Sequence, residues 1–218
     1  MRPLAERLAA QGYSVELPRL PGHGTSVEDM MTTDWSDWSG AALEAYDELA
    51  QRSERIGVVG LSMGGGLTAF LGEQRSNMSA LVYINPLVKP LGDDVLEGID
   101  ALLESGVESF ESIGSDIKKE GAAELSYSAT PLACAKSLFA GVKDVHENLS
   151  KIKAPGLLLS SRDDHVVPPE NGDDLVALSG APIERIWLDD SYHVATIDND
   201  QELVEKATIA FFDEHLKS

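Results

Sequence analysis

The sequence predicts an α/β fold, a mostly parallel sheet flanked by helices. Three observations carry that expectation. Short apolar runs alternate along the chain with longer segments of helical periodicity. One run, Ile56-Gly57-Val58-Val59, breaks abruptly into Gly60-Leu61-Ser62-Met63-Gly64, the punctuation of a strand turning straight into a helix. The 218 residues, 43% of them hydrophobic, suffice for one large domain with a substantial core and a small insertion.

The elements can be read in order. Leu4, Leu8 and Ala9 beside Glu6 and Arg7 give a first amphipathic helix, with Gly12 as its stop. Residues 13–17, Y-S-V-E-L, read as a strand, and P-R-L-P-G-H-G-T-S as a punctuated loop. Asp34 can cap a helix that carries Trp35, Trp38, Ala42, Ala45 and Leu49 on one face. A strand follows at R-I-G-V-V-G, then a helix over about 63–74, then a strand at A-L-V-Y-I-N stopped by Pro86. After the break described next, G-L-L-L-S-S (156–161) and I-E-R-I-W-L (183–188) read as strands, E-N-G-D-D-L-V-A-L as a helix, and 199–217 as a closing helix.

Residues 87–130 interrupt this alternation. Between 93 and 124 lie ten acidic residues and two lysines, with apolar residues at 95, 96, 99, 102, 103, 107, 110, 113 and 117 in helical spacing. That pattern predicts an inserted helical cap over 87–130 between core segments 1–86 and 131–218, although a helix on ordinary core has the same periodicity. Leu87, Leu96, Leu103 and Phe110 are candidates to line an apolar substrate pocket beneath it, as are Val88, Leu102 and Val107.

Composition removes several classes of function. A formal charge of −20 repels phosphate backbones and anionic headgroups, so nucleic acid is not an expected partner. A neutral small substrate approaches such a surface more readily than an anion. The single Cys134 excludes an internal disulfide and a multi-cysteine metal site, and its amphipathic surroundings read as packed core. The scattered histidines lack metal-ligand spacing, so neither a metal nor a cofactor is expected. There is no leader-like start and no apolar stretch near the ~20 residues that span a bilayer, so stable membrane insertion is not expected and the cytoplasm is the expected compartment.

Chemistry concentrates at three places. Gly60-Leu61-Ser62-Met63-Gly64 fits the G-x-S-x-G elbow, which exposes a serine on a strained strand-to-helix turn. A serine hydroxyl is a weak nucleophile until a base takes its proton, and histidine suits because its pKa lies near neutrality. Adjacent acids, Asp163 and Asp164, follow the strand at 156–161, and His193 follows the strand at 183–188. Serine, acid and histidine thus stand after three strand ends, in the chain order of α/β-hydrolases. His23, His146, His165 and His215 lack such a pattern.

The chain resembles the small bacterial carboxylesterases and monoacylglycerol lipases of the α/β-hydrolase superfamily. It carries L-P-R-L-P-G-H-G-T-S, D-W-S-D-W, V-V-G-L-S-M-G-G, S-S-R-D-D-H-V-V-P-P and S-Y-H-V-A-T-I-D in the family's order. The likeness runs the full length and is weakest in the cap. It implies hydrolysis of short- or medium-chain esters or monoacylglycerols without a cofactor, by Ser62, His193 and Asp164. Asp164 is preferred over Asp163 because Asp164-His165-Val166-Val167-Pro168 matches the family's D-x-x-V-P spacing. The Met63 backbone N–H becomes one oxyanion donor.

In the resembling enzymes a second donor comes from a loop just before a helix like M-R-P-L-A-E-R-L-A-A. Here the sequence begins at that helix, so the first strands and the loop are expected to be missing. The usual strand order then leaves a gap between 13–17 and 56–60, to be closed, exposed, or filled by a second copy in a homo-oligomer. Loss of one oxyanion donor costs about 2.7–4 kcal/mol of transition-state stabilisation. The 218-residue chain is therefore expected to be weakly active or inactive, and an N-terminally extended form to hydrolyse p-nitrophenyl butyrate readily. A thioesterase or acyltransferase on the same triad, and a non-catalytic ligand-binding body, are the alternatives.

Overall fold

The computed structural model describes residues 1–112 and 114–217. In chain order its elements are α1 (Arg2–Ala10), α2 (Val27–Met30), α3 (Trp35–Ala50), β1 (Gly57–Leu61), α4 (Met63–Gln74), β2 (Ala80–Ile84) and α5 (Asp93–Glu104). There follow β3 (Ser109–Glu111), β4 (Ala129–Pro131), α6 (Leu132–Asn148), β5 (Gly156–Ser161), α7 (Glu170–Leu178), β6 (Ile183–Leu188) and α8 (Gln201–Leu216). The main sheet has the order β1-β2-β5-β6 and is parallel throughout. Among the described residues no helix is long and apolar enough to cross a membrane.

The central strands of a parallel sheet are covered on both faces, which is why β2 and β5 read as apolar runs. Every residue of β2 and β5 is buried. Alternate side chains then divide between two cores. Leu81, Tyr83 and Leu158 join Tyr46, Leu67, Leu71 and Leu149 on the α3–α4–α6 side. Val82, Ile84, Leu157 and Leu159 join Leu4, Leu8, Phe211 and Phe212 on the α1–α8 side. Parallel strands place their C-terminal ends together, so the segments leaving β1, β5 and β6 emerge on one rim. A capping box starts α3: Asp34 accepts from the N–H groups of Ser36 and Asp37, and the Asp37 carboxylate accepts from the Asp34 N–H.

Two sequence expectations need correction. Residues 13–17 do not form a strand. Tyr13 and Val15 pack on the apolar core, but a cavity of about 470 Å³, lined by Leu4, Leu20, Val59, Leu67 and Phe212 among others, borders both this segment and β1. A strand needs a hydrogen-bonding neighbour, and β1 is the sheet's edge on this side.

The second correction concerns the insertion, which is not helical throughout. Helix α5 stops at Glu104, Gly106 turns the chain at φ +85°, and Ser109–Glu111 pairs antiparallel with Ala129–Pro131. Gly114 and Gly121 also have positive φ, so the apolar spacing between 107 and 117 does not propagate as helix. Ile113, one of those periodic positions, lies outside the described residues.

One buried group conflicts with its surroundings. An oxygen of Glu73, on α4, is buried without a hydrogen-bond partner among the described residues, as is the Tyr83 hydroxyl. Burial pushes the Glu73 pKa up to about 8, with Lys151 opposing and Asp144 reinforcing the rise. The folded state therefore keeps a proton that the unfolded chain releases near 4.5. Stability contributed by this group is present below that value and is lost as pH rises towards 8. Glu73→Gln should match the parent in Tm near pH 5 and exceed it by a few degrees near pH 9. Parallel Tm-against-pH curves for the two proteins would contradict this.

Candidate active site

Ser62 sits between β1 and α4 with φ +57° and ψ −120°, a left-handed conformation that costs a non-glycine residue about 1–3 kcal/mol. Four backbone hydrogen bonds hold it there. Its N–H donates to the Ile84 carbonyl at 3.0 Å, and its carbonyl accepts from Gly65, Gly66 and Leu87 at 2.9, 3.2 and 3.0 Å. The glycines admit this close packing. A Cβ on Gly60 would lie 1.9 Å from the Gly64 carbonyl oxygen, and one on Gly65 would lie 2.5 Å from Pro86 Cβ. Met63 begins α4, so its N–H lies at the positive end of the helix dipole.

Asp164 follows β5 and is held by its own loop. Its Oδ1 accepts from the N–H groups of Val166 and Val167 at 2.9 and 2.8 Å. Its Oδ2 lies 2.8 Å from His193 Nδ1, and the two side chains are only 1% and 8% exposed. Neighbouring Asp163 is exposed. The carboxylate orients the ring with Nδ1–H towards it, leaving Nε2 as the free nitrogen. The Ser62 hydroxyl has no hydrogen-bond partner among the described residues. What links it to His193 is backbone and one amide.

That amide belongs to Asn85, directly after β2, 4% exposed and at φ +42°. Its Oδ1 accepts from the Ser161 N–H at 2.7 Å, while Nδ2 donates to Ser161 Oγ at 2.9 Å and to the His193 carbonyl at 2.8 Å. Ser161 Oγ donates in turn to the Tyr192 carbonyl at 2.8 Å. The end of β2, the acid-bearing strand and the histidine loop are thus fastened together one residue beyond Ile84, which fixes Ser62. Sequence reasoning missed Asn85 as a site residue. Its only signal was its place between a strand and Pro86.

Three further carboxylates went unnoticed. Asp198 is fully buried and accepts from the N–H groups of Lys118, Lys119, Tyr192 and Asn199. Asp116 accepts from the N–H groups of His165 and His193. Glu124 comes close enough to His193 for the two to interact electrostatically: burial raises its pKa and His193 opposes the rise.

The other predicted positions are placed as follows. Leu87 adjoins Ser62, donating its N–H to the Ser62 carbonyl. Leu96 and Leu103 are half-buried on α5, which packs against α6, whereas Phe110 on β3, with Leu102 and Val107, is exposed. Val88 is buried in the core. His23 bonds the Pro21 carbonyl at 3.0 Å and meets the Trp38 ring edge-on. His146 faces Asp174, His215 bonds the Phe211 carbonyl, and Cys134 is buried with its thiol against the carbonyls of Met30 and Thr33.

The chain as a whole is similar to known proteins. The family model Hydrolase_4, described as serine aminopeptidase, S33, matches residues 1–200. A thermostable monoacylglycerol lipase of Bacillus sp. (strain H-257) is 41% identical over 99% of this chain and 85% of its own length. A carboxylesterase of Bacillus subtilis (strain 168) is 24% identical over 98% of the chain and 86% of its own. Among solved structures, one from a study of LipS and LipT, two metagenome-derived lipolytic enzymes, superposes with a TM-score of 0.93 at 39% identity, covering 99% of this chain and 88% of that one. The monoacylglycerol lipase of Paleococcus ferrophilus shares the fold, with a TM-score of 0.68 at 19% identity over 98% and 88%.

The chain belongs to the Hydrolase_4 family of the α/β-hydrolase superfamily and is a lipase/esterase-like hydrolase.

The elbow's packing makes a direct prediction. Gly60→Ala should lower the urea midpoint by the equivalent of about 1–3 kcal/mol or more, because backbone rather than a flexible side chain occupies the space its methyl needs. An unchanged midpoint would contradict the close approach of strand and helix.

Proposed function

We propose that the chain hydrolyses neutral carboxylic esters, short- or medium-chain esters or monoacylglycerols, by acyl transfer through Ser62, His193 and Asp164. The observation that carries this reading is the buried Asp164–His193 hydrogen bond of 2.8 Å on the rim where the elbow presents Ser62. In the reaction, His193 Nε2 removes the hydroxyl proton as Ser62 Oγ attacks the ester carbonyl, and Asp164 stabilises the imidazolium. The Met63 N–H donates to the oxygen that becomes negative in the tetrahedral intermediate. His193 then protonates the departing alcohol, leaving Ser62 acylated. A water that gives its proton to the same nitrogen attacks the acyl-enzyme, and collapse releases the carboxylic acid and restores the serine.

The 41% identity to a monoacylglycerol lipase supports the ester class, and a surface of net charge −20 favours neutral substrates over anionic ones. The insertion at 87–130 acts as a cap in this reading. Leu87 beside the nucleophile contacts the acyl group, and Leu96, Leu103 and Phe110 are its further contacts as the substrate enters beneath α5.

A fluorophosphonate probe should label the protein once per chain at Ser62, and Ser62→Ala should abolish labelling without changing Tm. Labelling that survives Ser62→Ala would overturn the reading. Across a panel of p-nitrophenyl esters and monoacylglycerols, His193→Ala should reduce kcat by at least about a thousandfold, the scale on which loss of a triad base acts.

A further inference from the structure

We propose that Asp116, in the insertion between β3 and β4, is a positioning residue that holds the acid loop and the base loop of the triad in register. This rests on the triad reading above. Three segments distant in sequence meet at its carboxylate. Oδ2 accepts from the His165 N–H and from the His193 N–H, both at 3.1 Å, and Oδ1 lies 2.8 Å from His165 Nδ1. His165 directly follows Asp164, so one carboxylate touches the neighbour of the acid and the backbone of the base. Neither contact involves a reacting atom, so Asp116 works through the loops.

The attachment is reinforced along the same stretch. The Asp116 carbonyl accepts from the Val194 N–H at 3.1 Å. Two residues on, Lys118 and Lys119 donate their N–H groups to Asp198, each at 2.8 Å, and Lys118 Nζ pairs with Asp190 at 2.9 Å. Residues 116–119 therefore lie along the histidine loop, and at Asp116 they also seize the acid loop. The Asp116 side chain is 12% exposed. Burial alone would raise its pKa, but the His165 side chain and the N–H groups of His165 and His193 outweigh it and hold the carboxylate below its usual range.

The triad has a mechanical reason to need this. Asp164 is fixed within its own loop by Val166 and Val167, whereas the described restraints on His193 are its bond to Asp164, its carbonyl on Asn85 and its N–H on Asp116. Without Asp116, the His193 N–H loses its acceptor and the two loops lose their shared anchor. The ring can then drift relative to Ser62, and a misplacement of about 1 Å can cost about a hundredfold in rate. The insertion thereby becomes part of the catalytic frame as well as a cover.

The test compares the 218-residue chain with Asp116→Ala, Asp116→Asn and Tyr127→Phe. Tyr127 ties the insertion to the loop at 22–25 by donating to the Gly22 carbonyl and accepting from the Thr25 N–H, away from the triad loops. Three readouts serve: the rate of fluorophosphonate labelling, the downfield proton resonance of the His193–Asp164 hydrogen bond, and kcat against KM on one ester. Asp116→Ala should label at least about tenfold more slowly, broaden or lose the resonance, and lower kcat with KM changed less than about threefold. Asp116→Asn keeps an oxygen for the two N–H groups and should fall between; it carries the test if the alanine variant does not fold. Tyr127→Phe should label within about twofold of the parent.

An Asp116→Asn protein with parental labelling and an unaltered resonance would overturn the proposal. So would an equal slowing in Tyr127→Phe, because that marks a general loosening of the insertion. Should the parent resist labelling, the serine-hydrolase reading fails, while the resonance in parent and Asp116→Asn still decides the role of Asp116.

Discussion

A carboxylate–imidazole hydrogen bond, Asp164 Oδ2 to His193 Nδ1, is the contact on which the proposed chemistry depends. Both side chains are taken almost wholly out of water, and such a pair is tolerated only where every remaining polar group is satisfied. The protein meets that condition chiefly with backbone. The second Asp164 oxygen takes two amide N–H groups, the His193 carbonyl takes the Asn85 amide, and the His193 N–H finds Asp116. Preorganisation here means that each end of the pair is tied to a different structural unit.

Those units are brought together by the parallel sheet. With strand order β1-β2-β5-β6, the segments carrying Ser62, Asn85, Asp164 and His193 leave four adjacent strand ends on one rim. The cost of the arrangement is local and visible. Ser62 and Asn85 are the two non-glycine residues of positive φ among those described, and they lie at the ends of neighbouring strands, joined by the Ser62 N–H to Ile84 carbonyl bond. The strain lies on the rim that carries the proposed site, above the two apolar cores.

Much of this was legible in the sequence because it depends on local pattern. The runs A-L-V-Y-I and G-L-L-L-S-S announced β2 and β5, since buried parallel strands are apolar on both faces. The edge strand β6, I-E-R-I-W-L, showed itself by its β-branched and aromatic residues between turn signals. The strand expected at 13–17 did not form, because a strand is a pairing, and no local pattern reports whether a partner is present. In the insertion, helical spacing was read across Gly106, and the positive φ of that glycine ended the helix. Asn85, Asp116 and Asp198 escaped notice for a related reason. Each acts by hydrogen bonds to backbone groups far along the chain, which carry no residue-type signature.

The central claim is that the buried Asp164–His193 pair addresses the Ser62 hydroxyl. A crystal structure of the protein inactivated by a phosphonate ester tests it most directly. The account predicts phosphorus bonded to Ser62 Oγ, His193 Nε2 within hydrogen-bond distance of that oxygen, and a phosphonyl oxygen facing the Met63 N–H. Phosphorus on another residue, or an imidazole turned away from Ser62 with its bond to Asp164 broken, would contradict it.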